Sequence, residues 1–139
     1  MTDDMRARDG FASQSFMQTL GAEVVEAGKG HVRVRYRKRD GLTQQHGFLH
    51  AGVSTAIADS ACGYSALSMA PQGADVLTIE FKSNFLRPAS GEVFEARGRL
   101  VKPGAQIMVC EAEVWEIEPQ ERLIMTMTAT MFIMNREGG

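Results

Sequence analysis

The chain is predicted to be an α+β domain, a five- to six-stranded antiparallel sheet wrapped around one long central helix. Two stretches carry this reading. From Ala51 to Ala70 nearly every residue is small, no proline interrupts, and few residues are β-branched. Such a run forms a helix of roughly four to five turns, and a helix without a charged face is buried on most sides. After Pro71-Gln72-Gly73 the apolar pattern switches to period two and holds it almost to the C-terminus, which marks a succession of strands. Short turns between those strands make the sheet antiparallel, and burying one of its faces against the lone helix is the economical packing.

Taken in order, residues 1–9 form a polar arm that is expected to fray. Phe11 to Leu20 reads as a short amphipathic helix, with Phe16 and Leu20 four apart and Gly21 as its C-cap. Ala22–Ala27 and His31–Arg37 make a hairpin about Gly28-Lys29-Gly30. In its second strand Val32, Val34 and Tyr36 point inward and Arg33, Arg35 and Arg37 outward. The arginine row is either a solvated strand face or a grip on a phosphate. Residues 38–50 are a loop feeding the central helix. Asp75–Leu86 places Leu77, Ile79, Phe81 and Phe85 on one face with Ser83 as the polar member, and Thr78, Glu80, Lys82 and Asn84 on the other. Glu92–Val101, Ala105–Ile117 and Arg122–Met134 follow as long strands, joined at Lys102-Pro103-Gly104 and Glu118-Pro119-Gln120-Glu121.

Composition excludes several classes of function. At 139 residues the chain is expected to be a single domain, residues 1–139, with one core. Its net charge of −2 provides no long-range attraction for nucleic acid, and no apolar run is long enough to span a bilayer. The polar N-terminus MTDDMRARDG lacks a signal region, which predicts a cytoplasmic home. Cys62 and Cys110 belong to no CxxC pair and read as reduced core thiols. His46 and His50 are four apart, but HGFLH lacks the glutamate of HExxH and a third histidine, so no metal is expected. Nucleophile-elbow, phosphate-loop and dinucleotide-binding motifs are absent.

What remains is one carboxylate in the wrong place. Between Asp40 and Asp75 the only formal charge is Asp59, within the small-residue helix, where a carboxylate is costly unless partnered or used. The helix start at His50-Ala51-Gly52 offers unpaired N–H groups and the positive end of the helix dipole, suited to an oxygen that gains negative charge during a reaction. Ala51 and Gly52 leave that backbone accessible. The residues alone leave open a second reading, a tightly packed turn with His50 as a satisfied loop histidine.

The run from Gln44 to Tyr64, with LTIEFKSNFLRPASGE downstream, resembles the phenylacetate-degradation (PaaI-type) branch of the hotdog-fold acyl-CoA thioesterases. The similarity extends from about Phe11 to Met134. Its specific part is the segment written HGGxxxxxxD in much of that family, here His50-Ala51-Gly52 through Asp59 with the same spacing. The resemblance implies hotdog protomers assembled as dimers, often tetramers, with active sites at the dimer interface. It implies that Asp59 is the catalytic carboxylate, that the Ala51 N–H is the oxyanion donor and that His50 positions the turn. Where the family often has Asn, this chain has Gln44, which keeps the amide on a longer stem. Ser83 stands where related enzymes place a hydroxyl near the carboxylate.

The function expected is hydrolysis of an acyl-CoA thioester, with Asp59 activating water or attacking directly. Burial should raise its pKa. Phe48, Tyr64 and methionines of a neighbouring subunit are candidates to line the acyl slot. CoA belongs to the substrate, so no bound cofactor is required. Nine residues of helix rise roughly 13 Å, so Ala51 and Asp59 of one chain cannot reach one carbonyl, and a shared site needs two subunits. A non-catalytic acyl-CoA-binding protein is the rival, and a hydratase is a weaker one.

Overall fold

The computed structural model describes residues 3–135. Three helices, α1 (Asp3–Ser13), α2 (Ser15–Leu20) and α3 (Ala51–Leu67), accompany six strands. These are β1 (Glu23–Gly28), β2 (His31–Arg37), β3 (Ala74–Phe85), β4 (Val93–Lys102), β5 (Ile107–Glu118) and β6 (Arg122–Asn135). They form one sheet in the order β1-β2-β4-β5-β6-β3, and every pairing is antiparallel. The predicted wrapped sheet is therefore present, and the predicted strands lie where the periodicity placed them.

Small residues on α3 let the sheet come close, and the contact is tightest at β4. A Cβ built on Gly98 would lie 2.7 Å from the backbone C and O of Ala61, so only glycine fits there. Around that contact Ile57, Ala58, Ala61 and Cys62 of α3 pack against Val32, Val34, Phe94, Ala96 and Val114. Met125, Met127, Ala129 and Met131 of β6 complete the floor. Tyr36 is buried as predicted and satisfies its hydroxyl against Ser54 Oγ at 2.8 Å. Cys62 and Cys110 are free and buried, and burial pushes the Cys110 thiol up to about 11.

Two expectations about the N-terminus are corrected. Residues 3–9, read as a frayed arm, belong to helix α1. Ala7 and Phe11, one turn apart, are buried, and arginines tether the helix to loop and strand carbonyls. Arg6 donates to Ala70 O and Pro71 O at 3.3 and 3.2 Å, and Arg8 donates to Val24 O at 2.6 Å. Polar composition misled because the anchoring groups are arginines with backbone partners distant in sequence. The single helix expected over 11–20 is broken at Gln14, whose backbone is extended (φ −81°, ψ 108°), while Gly21 caps the second piece as anticipated.

Arg33 and Arg35 of the outward row, but not Arg37, join Arg97 of β4 in a structural network. Glu95 on β4 has 0% exposure beneath the guanidinium groups of Arg33, Arg35 and Arg97, with bonds of 2.6 to 2.9 Å. Burial alone would raise the Glu95 carboxyl, but the bonds from Arg35, Arg97 and Arg33 outweigh it and hold it at about 2. Among the described residues no helix is long and apolar enough to cross a membrane.

Strand β3 departs from simple alternation. Directly opposed residues project from the same face of a sheet, so the buried β6 residues identify the inner face. Thr78 lies opposite Met131, Phe81 opposite Ala129, Ser83 opposite Met127 and Phe85 opposite Met125. Between Thr78 and Glu80 the register shifts, which makes Ile79 an extra residue, and Leu77 falls opposite Phe132 on the outer face. The predicted faces thus hold for Phe81, Ser83, Phe85, Glu80, Lys82 and Asn84, but are exchanged for Leu77 and Thr78. A one-residue bulge reverses every side chain on one side of it.

Candidate active site

The loop before α3 is tied by Gln44. Its backbone N–H donates to Phe48 O at 2.9 Å, and its side-chain Oε1 accepts from the N–H groups of His46 (2.6 Å) and Phe48 (3.1 Å). Gly47 completes the turn at φ +84°, a left-handed conformation that favours glycine. The Gln44 oxygen is therefore engaged within the loop, and the amide nitrogen is the end that can face a ligand. This turn delivers His50 to the N-cap of α3 with extended backbone (φ −62°, ψ 136°). The His50 Nδ1 accepts from the Gly52 N–H at 2.8 Å, so the cap satisfies Gly52 and not Ala51. With Nδ1 accepting, a neutral ring carries its proton on Nε2. Ala51 and Gly52 are exposed at the helix start, as the accessible-backbone reading requires.

More than two turns along α3, Asp59 is half-buried. Its Oδ1 accepts a hydrogen bond of 2.7 Å from Thr78 Oγ1. Burial raises the Asp59 carboxyl above its ordinary value, and the Thr78 bond offsets part of that rise. Thr78 escaped the strand reading because the bulge at Ile79 turns it inward. No local sequence signal marks that bulge.

Five of the predicted site residues are divided between two separate grooves, while His50, Gly52 and Ser83 line neither. One, of about 390 Å³, is lined by Gln44, Phe48, Ala51, Phe85 and Leu86 among others. The second, of about 480 Å³, is lined by Asp59, Thr78, Ser60, Tyr64 and Gln14 among others. Phe48 and Tyr64, both candidates for one acyl slot, thus stand in different grooves of the same chain. Ser83 does not touch Asp59 within the chain, since Thr78 occupies that role. It sits on β3 between Thr78 and Phe85, and its hydroxyl is buried with no hydrogen-bond partner among the described residues. Also among the described residues, no cluster of His, Cys, Asp and Glu could hold a metal ion.

Residues 46–122 match the family model described as the Thioesterase superfamily. A crystal structure of a thioesterase family protein from Silicibacter pomeroyi superposes with a TM-score of 0.91 at 46% identity, over 94% of this chain and 96% of that one. The PaaI protein of the E. coli phenylacetic acid degradation operon shares the fold, with a TM-score of 0.82 at 19% identity over 92% and 90% of the two chains. Among curated proteins, the 1,4-dihydroxy-2-naphthoyl-CoA hydrolase of Listeria monocytogenes is 25% identical over 86% of this chain and 95% of its own length. A Halobacterium salinarum protein is 32% identical over 68% of this chain, which spans only 66% of that relative. The six-stranded antiparallel sheet around α3 is the hotdog architecture, and the chain belongs to the hotdog-fold thioesterase superfamily.

Proposed function

We propose that the protein hydrolyses an acyl-CoA thioester to a free acid and CoA at a site shared between two copies of the chain. The observation that carries this reading is the placement of Asp59. It is a half-buried carboxylate with a raised pKa, held by Thr78 inside a groove, on the helix whose capped N-terminus leaves the Ala51 N–H uncommitted by His50. The two ends lie in different grooves, so a complete site needs Ala51 of one copy and Asp59 of another.

The edge of the sheet supports that assembly. β3 is an outermost strand, and Leu77, Ile79, Phe81, Phe85 and Leu86 on it or just beyond it are 43–53% exposed. An edge with unpaired backbone groups and apolar side chains is a template for a second strand. Pairing β3 with its two-fold copy would place the Ala51 groove of one protomer beside the Asp59 groove of the other. The unpartnered Ser83 hydroxyl would then face the opposite carboxylate, the part the resemblance implies for it. Pairs of such dimers would make the homotetramer.

In the reaction the thioester oxygen receives the Ala51 N–H, and the helix start stabilises its developing charge. Asp59 either takes a proton from water as the water oxygen attacks the carbonyl, or attacks it directly to form an anhydride that water then cleaves. Collapse expels the CoA thiolate, which is protonated to the free thiol. The Gln44 amide nitrogen, opposite the oxygen that ties the loop, would hold the water or the carbonyl. No bound cofactor is required.

Free-thiol release from a panel of aliphatic and aromatic acyl-CoA substrates tests the proposal. Turnover that Asp59→Asn abolishes is expected. A folded wild type that binds acyl-CoA but hydrolyses none of the panel would instead establish the non-catalytic binding protein.

A further inference from the structure

Among the described residues, two carboxylates have 0% exposure, Glu95 and Glu116, and the chemistry above uses neither. Glu95 lies on the outer face under its arginines. Glu116 lies on the inner face, near the end of β5, opposite the buried Phe94. A charge buried there needs a partner, and Arg122, opposite it on β6, supplies one. Arg122 Nε donates to Glu116 Oε2 at 3.1 Å and Arg122 Nη2 to Glu116 Oε1 at 3.2 Å, a fork that fixes direction as well as distance. The backbone of Gly91 rests directly on this carboxylate, since a Cβ at that position would overlap Glu116 Cδ.

The segment that crosses it, residues 86–92 between β3 and β4, is pinned to the start of β6 at two points. The Leu86 and Arg87 N–H groups donate to Ile124 O at 2.7 and 3.3 Å. Further along, Arg122 Nη2 donates to Ser90 Oγ at 2.9 Å. Between these points Ala89 O accepts from the Leu49 N–H at 3.0 Å, while the His50 N–H donates to Leu42 O at 2.9 Å. The residues that lead into α3 are therefore clamped from both sides, and the clamp fixes the direction of the Ala51 N–H. Leu86, Pro88 and Ala89 also line the groove that holds Ala51. A chain of hydrogen-bonded or adjacent groups thus runs from Glu116 through Arg122, Ser90 and Ala89 to Leu49.

We infer that Glu116, acting through Arg122 and Ser90, is a positioning residue for the Ala51 N–H. This rests on the thioesterase reading of the site and deepens it by naming what aims the oxyanion donor. A backbone donor stabilises developing charge only if it is held in place before the reaction, and small misplacements are costly in rate. Ala51 and Gly52 are exposed and carry no side chain that could hold the helix start themselves. A fully buried ion pair is a weak source of stability, but it admits one geometry. Here that geometry is passed to the segment that braces Leu49, on the opposite side from the Gln44 turn.

The test compares Ser90→Ala, Ser90→Thr and Glu116→Gln with wild type, well below their melting temperatures and per folded site. Ser90 is exposed, so Ser90→Ala cuts the chain while leaving the buried pair intact. It should lower kcat about three- to tenfold with KM within about twofold, because a misaimed donor weakens the transition state more than the bound substrate. Ser90→Thr keeps the hydroxyl and should restore most of the rate. Glu116→Gln should lower kcat by about tenfold or more, with a lower melting temperature; if it fails to fold, Ser90→Ala decides alone. The second readout is the infrared carbonyl band of hexanoyl-CoA and benzoyl-CoA, labelled with carbon-13 at the carbonyl and bound to Asp59→Asn. The band should lie below that of the free thioester, and adding Ser90→Ala should move it back toward the free value. A role confined to stability would lower melting temperatures and leave both kcat and the band where they were, which overturns the inference. An unchanged kcat in folded Ser90→Ala overturns it whatever Glu116→Gln does, and so does a band that Asp59→Asn does not displace. A band that responds to Ser90→Ala in a protein whose wild type hydrolyses no thioester would sink the thioesterase reading alone. Asp59-dependent hydrolysis that ignores Ser90→Ala would sink only this inference.

Discussion

Replacing Asp59 with Asn separates the two consequences of placing a carboxylate in the wall of α3. The side chain keeps its shape and its oxygen, so Thr78 Oγ1 can still donate to it. What is lost is the charge. In the folded state burial raises the carboxyl above its unfolded value, and the Thr78 bond lowers it only in part. The native protein therefore holds a proton more tightly than the unfolded chain does. By linkage, stability falls as pH rises from the unfolded value near 3.8 through the folded value, and a constant penalty remains above it. Asn carries no such penalty, while its bond from Thr78 is weaker than a charge-assisted one by about 1 kcal/mol. The net change at neutral pH is expected within about ±1 kcal/mol, a few degrees in melting temperature for a domain of this size. Turnover should vanish. The assay is thermal unfolding of both proteins at one concentration between pH 4 and 8, with thiol release at neutral pH. The stability of Asp59→Asn relative to wild type should rise with pH and then level off. A relative stability that falls with rising pH would show that the carboxylate is stabilised in the fold and is simply a structural partner of Thr78. Retained turnover in the well-folded variant would refute its catalytic role.

Complementation tests the shared site. Asp59→Asn and Ala51→Pro should each be inactive, the second folding well because Ala51 is the first helical residue and His50 is already extended. Refolded together, half the dimers are mixed with one intact site each, so about a quarter of wild-type activity should return on the two-fold model; dead mixed dimers confirmed by native mass measurement would exclude it. Gln44→Ala should lower kcat by about ten- to a hundredfold, since it removes both the amide donor and the acceptor that ties the 44–48 turn, while Gln44→Asn should keep part of the rate. An unchanged kcat in Gln44→Ala would leave this side chain no role in turnover. Glu95→Gln should lose on the order of 1–2 kcal/mol at neutral pH after allowance for solvent around the arginines. Because the folded carboxyl is depressed to about 2, that contribution is present above the unfolded value of 4.5 and fades as pH falls below it, so urea midpoints of the two proteins should converge toward pH 2. Gly98→Ala should destabilise by about 1–3 kcal/mol, because the new methyl meets Ala61 backbone rather than a side chain that can turn away; an unchanged urea midpoint would show that the helix can shift freely.

Some features could be read directly from the chain. The run of small residues with a single charge determined that α3 is a buried helix and that Asp59 is its anomaly, because helix burial follows from the absence of a polar face. Clean alternation determined that Val32, Val34 and Tyr36 line the core, since side chains on a regular strand have a strict period of two. The same rule failed at β3, where one extra residue at Ile79 brought Thr78 to Asp59 and sent Leu77 outward. Nothing in the residue types announces a bulge; the register against β6 decides it. The N-terminal helix, the Gln14 bridge to Ser60 and Tyr64, and Glu95 beneath its arginines also came only from the tertiary structure. Each depends on partners far apart in sequence that meet only once the sheet has wrapped around the helix. Local composition determined which groups needed a partner, and the tertiary structure decided which partner each one met.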